Sequence, residues 1–282
     1  MLVNLNEVLL DAKKNHYGVG LFNTINLEMA RAVLEAAEEL RSPVIVGTAE
    51  ILLPAAELVE LRDILIPMAE RASVPVVLHF DHGLTEEKVI EALRLGYSSV
   101  MYDCSADTYE DNQEKVKRMT EIVHAFGATI EAELGHVGSN QEAAEGSGKD
   151  DSIYTEPDQA AAYVNATGVD ALAVAVGSSH GAYKKAPKLD FERLREIEQM
   201  VDVPLVLHGG SGLTDDDFRN CIKNGIAKIN IFTDINCAGA KAAYDQYESG
   251  KGLFEIAEGV RAAVKAETMK KMLIFGSDNK AS

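Results

Sequence analysis

The sequence is poor in cysteine and in long apolar runs, and each shortage excludes a class of protein. Its three cysteines, Cys104, Cys221 and Cys237, form no Cys-x-x-Cys pair, which argues against a disulfide framework and against a cysteine-built zinc site. We expect all three to be reduced. No run reaches the roughly 18–20 apolar residues of a membrane-spanning helix, and the amino-terminal stretch carries acidic residues where a signal peptide has basic ones. These absences predict a soluble, cytoplasmic protein.

Basic residues are also scarce, since Lys and Arg number 27 against 45 Asp and Glu, for a formal net charge of −18. Nucleic acids and anionic membranes recruit basic patches, so we expect neither as a partner. The chain has 282 residues, 46% of them hydrophobic and only 7 of them proline. This composition predicts one large core and a single domain over residues 1–282.

Eight short apolar runs alternate with segments of helical periodicity. Such runs are typical of parallel strands buried on both faces, and eight βα units in this length predict an (α/β)8 barrel. A doubly wound open sheet is the alternative, but no Gly-x-Gly-x-x-Gly follows the first run. The predicted strands are 17–23, 43–48, 75–81, 99–104, 129–134, 171–176, 204–209 and 228–233.

One polar segment rich in Gly and Ser, residues 136–159, interrupts this alternation after the fifth predicted strand. Long loops in compact domains are functional or disordered. This one leaves the strand at its carboxyl end, where barrel enzymes place their active sites, so it predicts a mobile loop over the site. Inert disorder is the alternative. The carboxyl-terminal segment is expected to pack further helices on the barrel.

Polar side chains gather at the carboxyl ends of the predicted strands. Buried carboxylates and imidazoles are costly unless they are paired or bind metal, so their convergence at one rim indicates a site. Three histidines among them suit a catalytic zinc ion with open coordination positions. One such histidine is more often structural. We expect His16, His79, His124 and His136 to be structural or surface residues. The rim residues are Asn23, Asp81, His82, Asp103, Glu131, Glu133, His180, His208 and Asn230.

Two glycine-bearing turns follow the sixth and seventh predicted strands, at residues 176–181 and 208–212. Glycine lets backbone N–H groups approach an anion closely, and the loops after strands 7 and 8 are the recurrent phosphate site of such barrels. With Ser211, Thr233 and Lys184 nearby, these turns predict a phosphate-binding site.

Taken together, the motifs resemble the class II fructose-bisphosphate and tagatose-bisphosphate aldolases. The likeness spans nearly the whole chain. It implies an aldehyde-lyase that reversibly cleaves a ketose 1,6-bisphosphate, or a related ketose 1-phosphate, into dihydroxyacetone phosphate and an aldehyde. The motifs are Gly-x-Phe-Asn (20–23), His-Phe-Asp-His-Gly (79–83), Glu-Ala-Glu-Leu-Gly (131–135), Gly-Ser-Ser-His-Gly-x-Tyr-Lys (177–184), Leu-His-Gly-Gly-Ser-Gly (207–212) and Lys-Ile-Asn-Ile-x-Thr-Asp (228–234).

The resemblance implies a role for each matching position. Asp81 matches the catalytic acid/base, and Asp103 and Glu133 match an alternative metal site of some relatives. Zn2+ is the implied cofactor, a monovalent cation is a second candidate, and the assembly is a homodimer or homotetramer. The matching zinc ligands are His82, His180 and His208. The matching substrate-binding positions are Gly181, Lys184, Gly209, Gly210, Ser211, Asn230 and Thr233, with Asn23 as a candidate substrate contact.

The chemistry is consistent with these assignments. Cleavage must deprotonate the C4 hydroxyl and stabilise an enediolate, and a carboxylate suits the first task as Lewis-acidic Zn2+ suits the second. The enediolate then needs an acid, which the resemblance places on the loop after the fifth strand. The acidic pair of relatives falls here at about Gln141 and Glu142, so Glu142 is the candidate acid.

The sequence also departs from relatives near its end. Their Asp-Pro-Arg segment, whose arginine helps bind the distal phosphate, is missing from residues 249–264, where Arg261 is expected to be a solvated helix residue. The aldehyde product could therefore differ from glyceraldehyde 3-phosphate. The substrate would then be a non-bisphosphorylated sugar acid or a longer ketose 1-phosphate. Two further alternatives are a Schiff-base aldolase, for which Lys228 at a strand start lies at the wrong end of the barrel, and a non-catalytic sugar-phosphate or metal-binding protein.

Overall fold

A computed structural model describes residues 1–137, 154–179 and 187–281, in which strands and helices alternate. The strands are β1 (Leu2–Val3), β2 (Val19–Asn23), β3 (Val44–Ala49), β4 (Val76–Gly83), β5 (Ser99–Tyr102), β6 (Thr129–Leu134), β7 (Ala171–Val174), β8 (Leu205–Leu207) and β9 (Ile226–Ile231). The α-helices are α1 (Leu5–Asn15), α2 (Leu27–Leu40), α3 (Leu58–Arg71), α4 (Glu86–Arg94), α5 (Tyr109–Ala125), α6 (Pro157–Thr167), α7 (Phe191–Met200), α8 (Asp215–Lys223), α9 (Thr233–Glu248) and α10 (Leu253–Phe275).

Strands β2 to β9 form a closed, all-parallel barrel in chain order. The sheet closes because β2 pairs with β9 and β4 pairs with β5. A doubly wound sheet would leave two open edges, so the (α/β)8 prediction is confirmed. Each predicted strand overlaps one barrel strand, with ends that differ by two residues at most.

Helix α1 covers the amino-terminal end of the barrel. Its apolar side chains Leu5, Val8 and Leu9 are buried against residues at the starts of several strands, including Val19 and Val77. Polar contacts fix the helix there, since the backbone N–H of Leu5 donates to Thr129 Oγ1, at the start of β6, at 3.1 Å. One end of the barrel is therefore filled by a helix, and its other end carries the polar residues.

Side chains alternate along the regular parts of the barrel strands because successive residues point to opposite faces of a strand. On β4, Val76, Leu78 and Phe80 pack against the outer helices. Val77 and His79 lie between them in sequence and face the barrel interior. The interior thus changes from apolar near α1 to charged at mid-height.

The segments that follow the barrel core complete the shell. Helix α6 begins at Pro157, so its first residues lie within the predicted loop 136–159. Proline suits the first turn of a helix. Residues 138–153 lie outside the described residues. The prediction that this loop is mobile concerns that segment and stays a prediction. Helix α10 packs along α2, where Arg261 lies 3.7 Å from Glu35 and Lys265 lies 2.7 Å from Glu39. Among the described helices, none is both long and apolar enough to cross a membrane.

Candidate active site

A cavity of about 470 Å³ opens at the carboxyl ends of the barrel strands. Its position opposite α1 is where barrels of this architecture bind substrates. Predicted site residues from six strands or their following loops line it. They are Asn23, Asp81, His82, Asp103, Glu133, Gly209, Gly210, Ser211, Asn230 and Thr233.

Asp81 is buried in the floor of this cavity and held from both sides. Asn23 Nδ2 donates to its Oδ2 at 2.8 Å, and Asn230 Nδ2 donates to its Oδ1 at 2.9 Å. Burial on its own raises the pKa of Asp81, but the nearby positive charges of His82 and Lys228 outweigh it and hold that pKa well below its usual value. Asp81 is therefore an oriented, ionised carboxylate.

His82 follows Asp81 directly, yet both line the cavity. In a regular strand, neighbours face opposite sides. Here the register of β4 against β5 shifts between Phe80 and Gly83, and His82 adopts a left-handed φ of 42°. Such a backbone is uncommon outside glycine and is found at functional sites. The irregularity turns the imidazole toward the site.

The two described histidines at the rim each pair with carboxylates. His82 Nδ1 lies 2.7 Å from Asp103 Oδ2, and the ring centroids of His82 and His208 are 4.5 Å apart. His208 Nδ1 lies 2.7 Å from Glu133 Oε2, and its Nε2 lies 2.9 Å from Glu131 Oε1. Burial lowers the pKa of His208, but the hydrogen bonds to the two glutamates prevail and raise it to about 10.

Three charged or polar groups lie beneath this rim, inside the barrel. Lys228 Nζ is 2.9 Å from Glu131 Oε2 and donates to Asn230 Oδ1 at 2.6 Å. His79 Nδ1 contacts Ser99 Oγ at 2.7 Å, and burial lowers the pKa of His79 to about 3.

The prediction that Lys228 lies at the far end of the barrel is wrong. Lys228 is the third residue of β9, and its long side chain reaches up to the floor of the site.

The donors at the rim suit a divalent metal. Ligand atoms of Asp81, His82 and His208 lie within 4.8 Å of one another, as do those of His82, Asp103 and Glu133. Metal-binding histidines usually hold their second ring nitrogen on a carboxylate, and Asp103 and Glu133 supply such partners. Because Asp103 pairs with Nδ1 of His82, Nε2 is the nitrogen that would face a metal. The third predicted ligand, His180, lies outside the described residues.

The loops after β8 and β9 form one wall of the cavity. Gly209 has a left-handed φ of 64°, and a Cβ on it would lie 2.4 Å from the carbonyl oxygen of Ser179. Thr233 is the first residue of α9 and lines the cavity, so the positive end of a helix lies at this wall. Helix amino termini favour anions. Gly181 and Lys184, predicted to join this wall, lie outside the described residues, as does Glu142.

Sequence reasoning missed some of the residues that build the site. Lys228 lies two residues before Asn230, and His79 lies two residues before Asp81. Residues two apart on a strand share a face, and this spacing could have placed both inside the barrel. His136, expected to be structural or a surface residue, lines the cavity. So do Ile51 and Leu84, whose apolar side chains gave no signal for a site.

Comparisons with known proteins point to one family. Residues 3–280 match the family model for class II fructose-bisphosphate aldolase. The chain is 39% identical over 289 residues to the fructose-bisphosphate aldolase of Staphylococcus aureus strain Mu50, covering 99% of both chains. It is 40% identical over 284 residues to the uncharacterized protein YdjI of Escherichia coli K12, covering 100% of both. The X-ray structure of the YdjI aldolase superposes with a TM-score of 0.90 at 37% identity, again covering 100% of both chains.

The chain therefore belongs to the class II fructose-bisphosphate aldolase family. Membership implies carbon–carbon lyase activity on a sugar phosphate. Members of this family are generally metal-dependent, in keeping with the donor groups at the rim.

Proposed function

We propose that this protein is a zinc-dependent aldolase that reversibly cleaves a ketose 1,6-bisphosphate or a related ketose 1-phosphate into dihydroxyacetone phosphate and an aldehyde. One observation carries the proposal. Asp81 is an ionised carboxylate fixed by two amides, and its ligand atom lies within 4.8 Å of those of His82 and His208. A base and a metal site can therefore act on the same substrate.

In this proposal Asp81 accepts the proton of the C4 hydroxyl during cleavage and returns it during condensation. The two amide donors hold the carboxylate in one orientation. Asn23 also offers its buried Oδ1, which has no hydrogen-bond partner among the described residues. That acceptor is suited to a substrate hydroxyl.

His82 and His208, with His180, would hold the metal. Bound Zn2+ would supply the Lewis acidity that stabilises negative charge on the departing three-carbon unit. Asp103 and Glu133 orient the two described imidazoles. A monovalent cation is a second candidate cofactor. Asp103 and Glu133 are candidate ligands of an alternative metal site.

The wall made by β8, β9 and α9 would bind the dihydroxyacetone phosphate half. Gly209, Gly210 and Ser211 line the cavity, and their backbone N–H groups would be the donors to the phosphate, while the start of α9 adds its positive end at Thr233. Gly181 and Lys184 would complete this wall, and Glu142 would protonate the enediolate. We expect the active unit to be a cytoplasmic homodimer or homotetramer.

A Schiff-base mechanism is disfavoured by the surroundings of Lys228. Its side chain is fully buried, is ion-paired with Glu131 and is absent from the described lining of the cavity. A substrate carbonyl in the cavity would therefore meet Asp81 and the histidines instead.

The test is release of dihydroxyacetone phosphate from fructose 1,6-bisphosphate, tagatose 1,6-bisphosphate and fructose 1-phosphate. Each is assayed with the protein as purified, after chelator treatment and after zinc restoration. We expect turnover of at least one ketose, its loss with chelator and its return with zinc. Turnover that survives complete metal removal would contradict the metal mechanism. Zinc-loaded protein that releases nothing from any of the three, and condenses dihydroxyacetone phosphate with no aldehyde, would overturn the proposed function.

A further inference from the structure

One wall of the cavity is apolar and exposed at its outer edge. It consists of Ala49 at the end of β3, Ile51 and Leu52 after β3, and Leu84 after β4, and we call it the apolar wall. Ile51 is 72% exposed and Leu84 is 52% exposed. Single exposed apolar side chains are common on protein surfaces, but a group of them at the mouth of a site suggests a binding surface.

The two halves of the apolar wall are held together by Glu50. Its Oε2 accepts hydrogen bonds from the backbone N–H groups of Leu84 at 2.7 Å and Thr85 at 3.1 Å, and its Oε1 accepts from Thr85 Oγ1 at 3.0 Å. The carboxylate thus joins the loop after β3 to the loop after β4. Ile51 and Leu84 are therefore parts of one fixed surface.

No lysine or arginine is among the described residues that line the cavity, whereas Asp81, Asp103 and Glu133 are. Arg261, the arginine nearest to the segment that binds a distal phosphate in relatives, pairs instead with Glu258 and Glu35 on the outer helices. A phosphate against the apolar wall would lose water without gaining a described cationic partner. Such desolvation is unfavourable.

The position of the wall fixes which part of the substrate meets it. The proposed phosphate wall follows β8 and β9, whereas the apolar wall follows β3 and β4. Around the eight-stranded barrel β4 lies four strands from β8, and β3 lies two strands from β9. A ketose whose phosphate end lies at Gly209 and whose C4 hydroxyl meets Asp81 must extend its remaining carbons toward the loops after β3 and β4. Those carbons are the tail of the aldehyde product.

We propose that the apolar wall binds this tail and that the substrates are ketose 1-phosphates whose far end carries no phosphate. The inference rests on the proposed function and narrows its substrate class. The C–H groups of an uncharged polyol tail would pack on Ile51 and Leu84, while its hydroxyls would face Ser105 and His136 across the cavity mouth.

The test is the condensation reaction with zinc-loaded protein, dihydroxyacetone phosphate and a choice of aldehydes. We expect kcat/KM for D-glyceraldehyde to exceed that for D-glyceraldehyde 3-phosphate at least tenfold. A preference for the phosphorylated aldehyde overturns the inference and leaves the proposed function standing. Condensation with neither aldehyde, nor with any of a wider set, overturns the proposed function and the wall with it.

Arginine substitutions test the wall directly. Leu84→Arg and Ile51→Arg change exposed side chains, so both variants should fold, and each should raise the relative kcat/KM for glyceraldehyde 3-phosphate at least tenfold. The matched control is Leu273→Arg, at a position on α10 that is 54% exposed, which should leave the ratio unchanged. If both folded wall variants also leave it unchanged, the wall does not contact the tail and the inference is wrong.

Discussion

Lys228 and Asn230, two residues apart on β9, are joined inside the barrel by a hydrogen bond of 2.6 Å from Nζ to Oδ1. Because Lys228 can only donate, the bond fixes which end of the Asn230 amide is the oxygen. The amide nitrogen must then point to Asp81, to which it donates at 2.9 Å. A lysine outside the cavity thus sets the orientation of the proposed base.

Lys228→Met should lower kcat at least tenfold with little change in KM, because the Asn230 amide loses its fixed orientation. It should also destabilise the fold by about 3–5 kcal/mol, since Glu131 stays buried without its partner. The double variant Lys228→Met/Glu131→Gln removes both charges and should recover much of the stability but little of the kcat. Steady-state kinetics and denaturant unfolding measure the two effects. Recovery of kcat in the double variant would mean that Lys228 only balances charge.

Asp81→Ala should lower kcat by about 10²–10⁴-fold, the usual contribution of a positioned acid/base. The metal content should stay close to that of the parent protein, because the paired histidines remain. Dihydroxyacetone phosphate release and bound zinc are measured on the same sample. Asp63→Ala, at an exposed aspartate on α3, is the control. An active Asp81→Ala protein would show that the base lies elsewhere.

Gly209→Ala should impair binding of the phosphate half. Its Cβ would lie 2.4 Å from Ser179 O, so the loop after β8 must move, and KM for the ketose should rise at least tenfold. Gly127→Ala is the matched control because Gly127 also has a left-handed φ, of 73°, but among the described residues no atom lies within 4 Å of its added Cβ. The control should cost about 1–2 kcal/mol of stability. An equal KM for the two variants would argue against a phosphate at this loop.

Leu9→Ala should destabilise the protein by about 2–5 kcal/mol, as for other buried leucines, because it opens a cavity between α1 and the barrel. Leu10→Ala is the control on the exposed side of the same helix, where Leu10 is 52% accessible, and should change stability by about 0.5 kcal/mol at most. Denaturant unfolding compares the two. Zinc-dependent activity of the folded fraction should be the same in both, since α1 is at the opposite end from the site.

The barrel and most of the rim could be predicted because both depend on local patterns. Buried parallel strands leave continuous apolar runs, and polar residues at their carboxyl ends, such as Asp81 and Asn230, stand out against them. The same alternation could have placed His79 and Lys228 inside the barrel, since each precedes a rim residue by two positions. The assumption that Lys228 begins its strand concealed this for Lys228, and His79 was expected to be a structural or surface residue.

Other features depend on contacts between distant parts of the chain. The left-handed backbone of His82 follows from how β4 pairs with β5, which no local pattern encodes. The end of the barrel that α1 covers is set by its packing on several strands. The apolar wall exists because Glu50 binds the loop after β4, 34 residues later in the chain.

Because α1 fills one end of the barrel, the structure also predicts the order in which the two products are released. Substrate and both products must exchange through the carboxyl-terminal mouth, where Ile51 of the apolar wall is 72% exposed. The aldehyde would therefore leave before dihydroxyacetone phosphate, and in the reverse direction dihydroxyacetone phosphate would bind first. Cleavage should then be an ordered uni-bi reaction in which dihydroxyacetone phosphate inhibits competitively against the ketose and the aldehyde inhibits non-competitively.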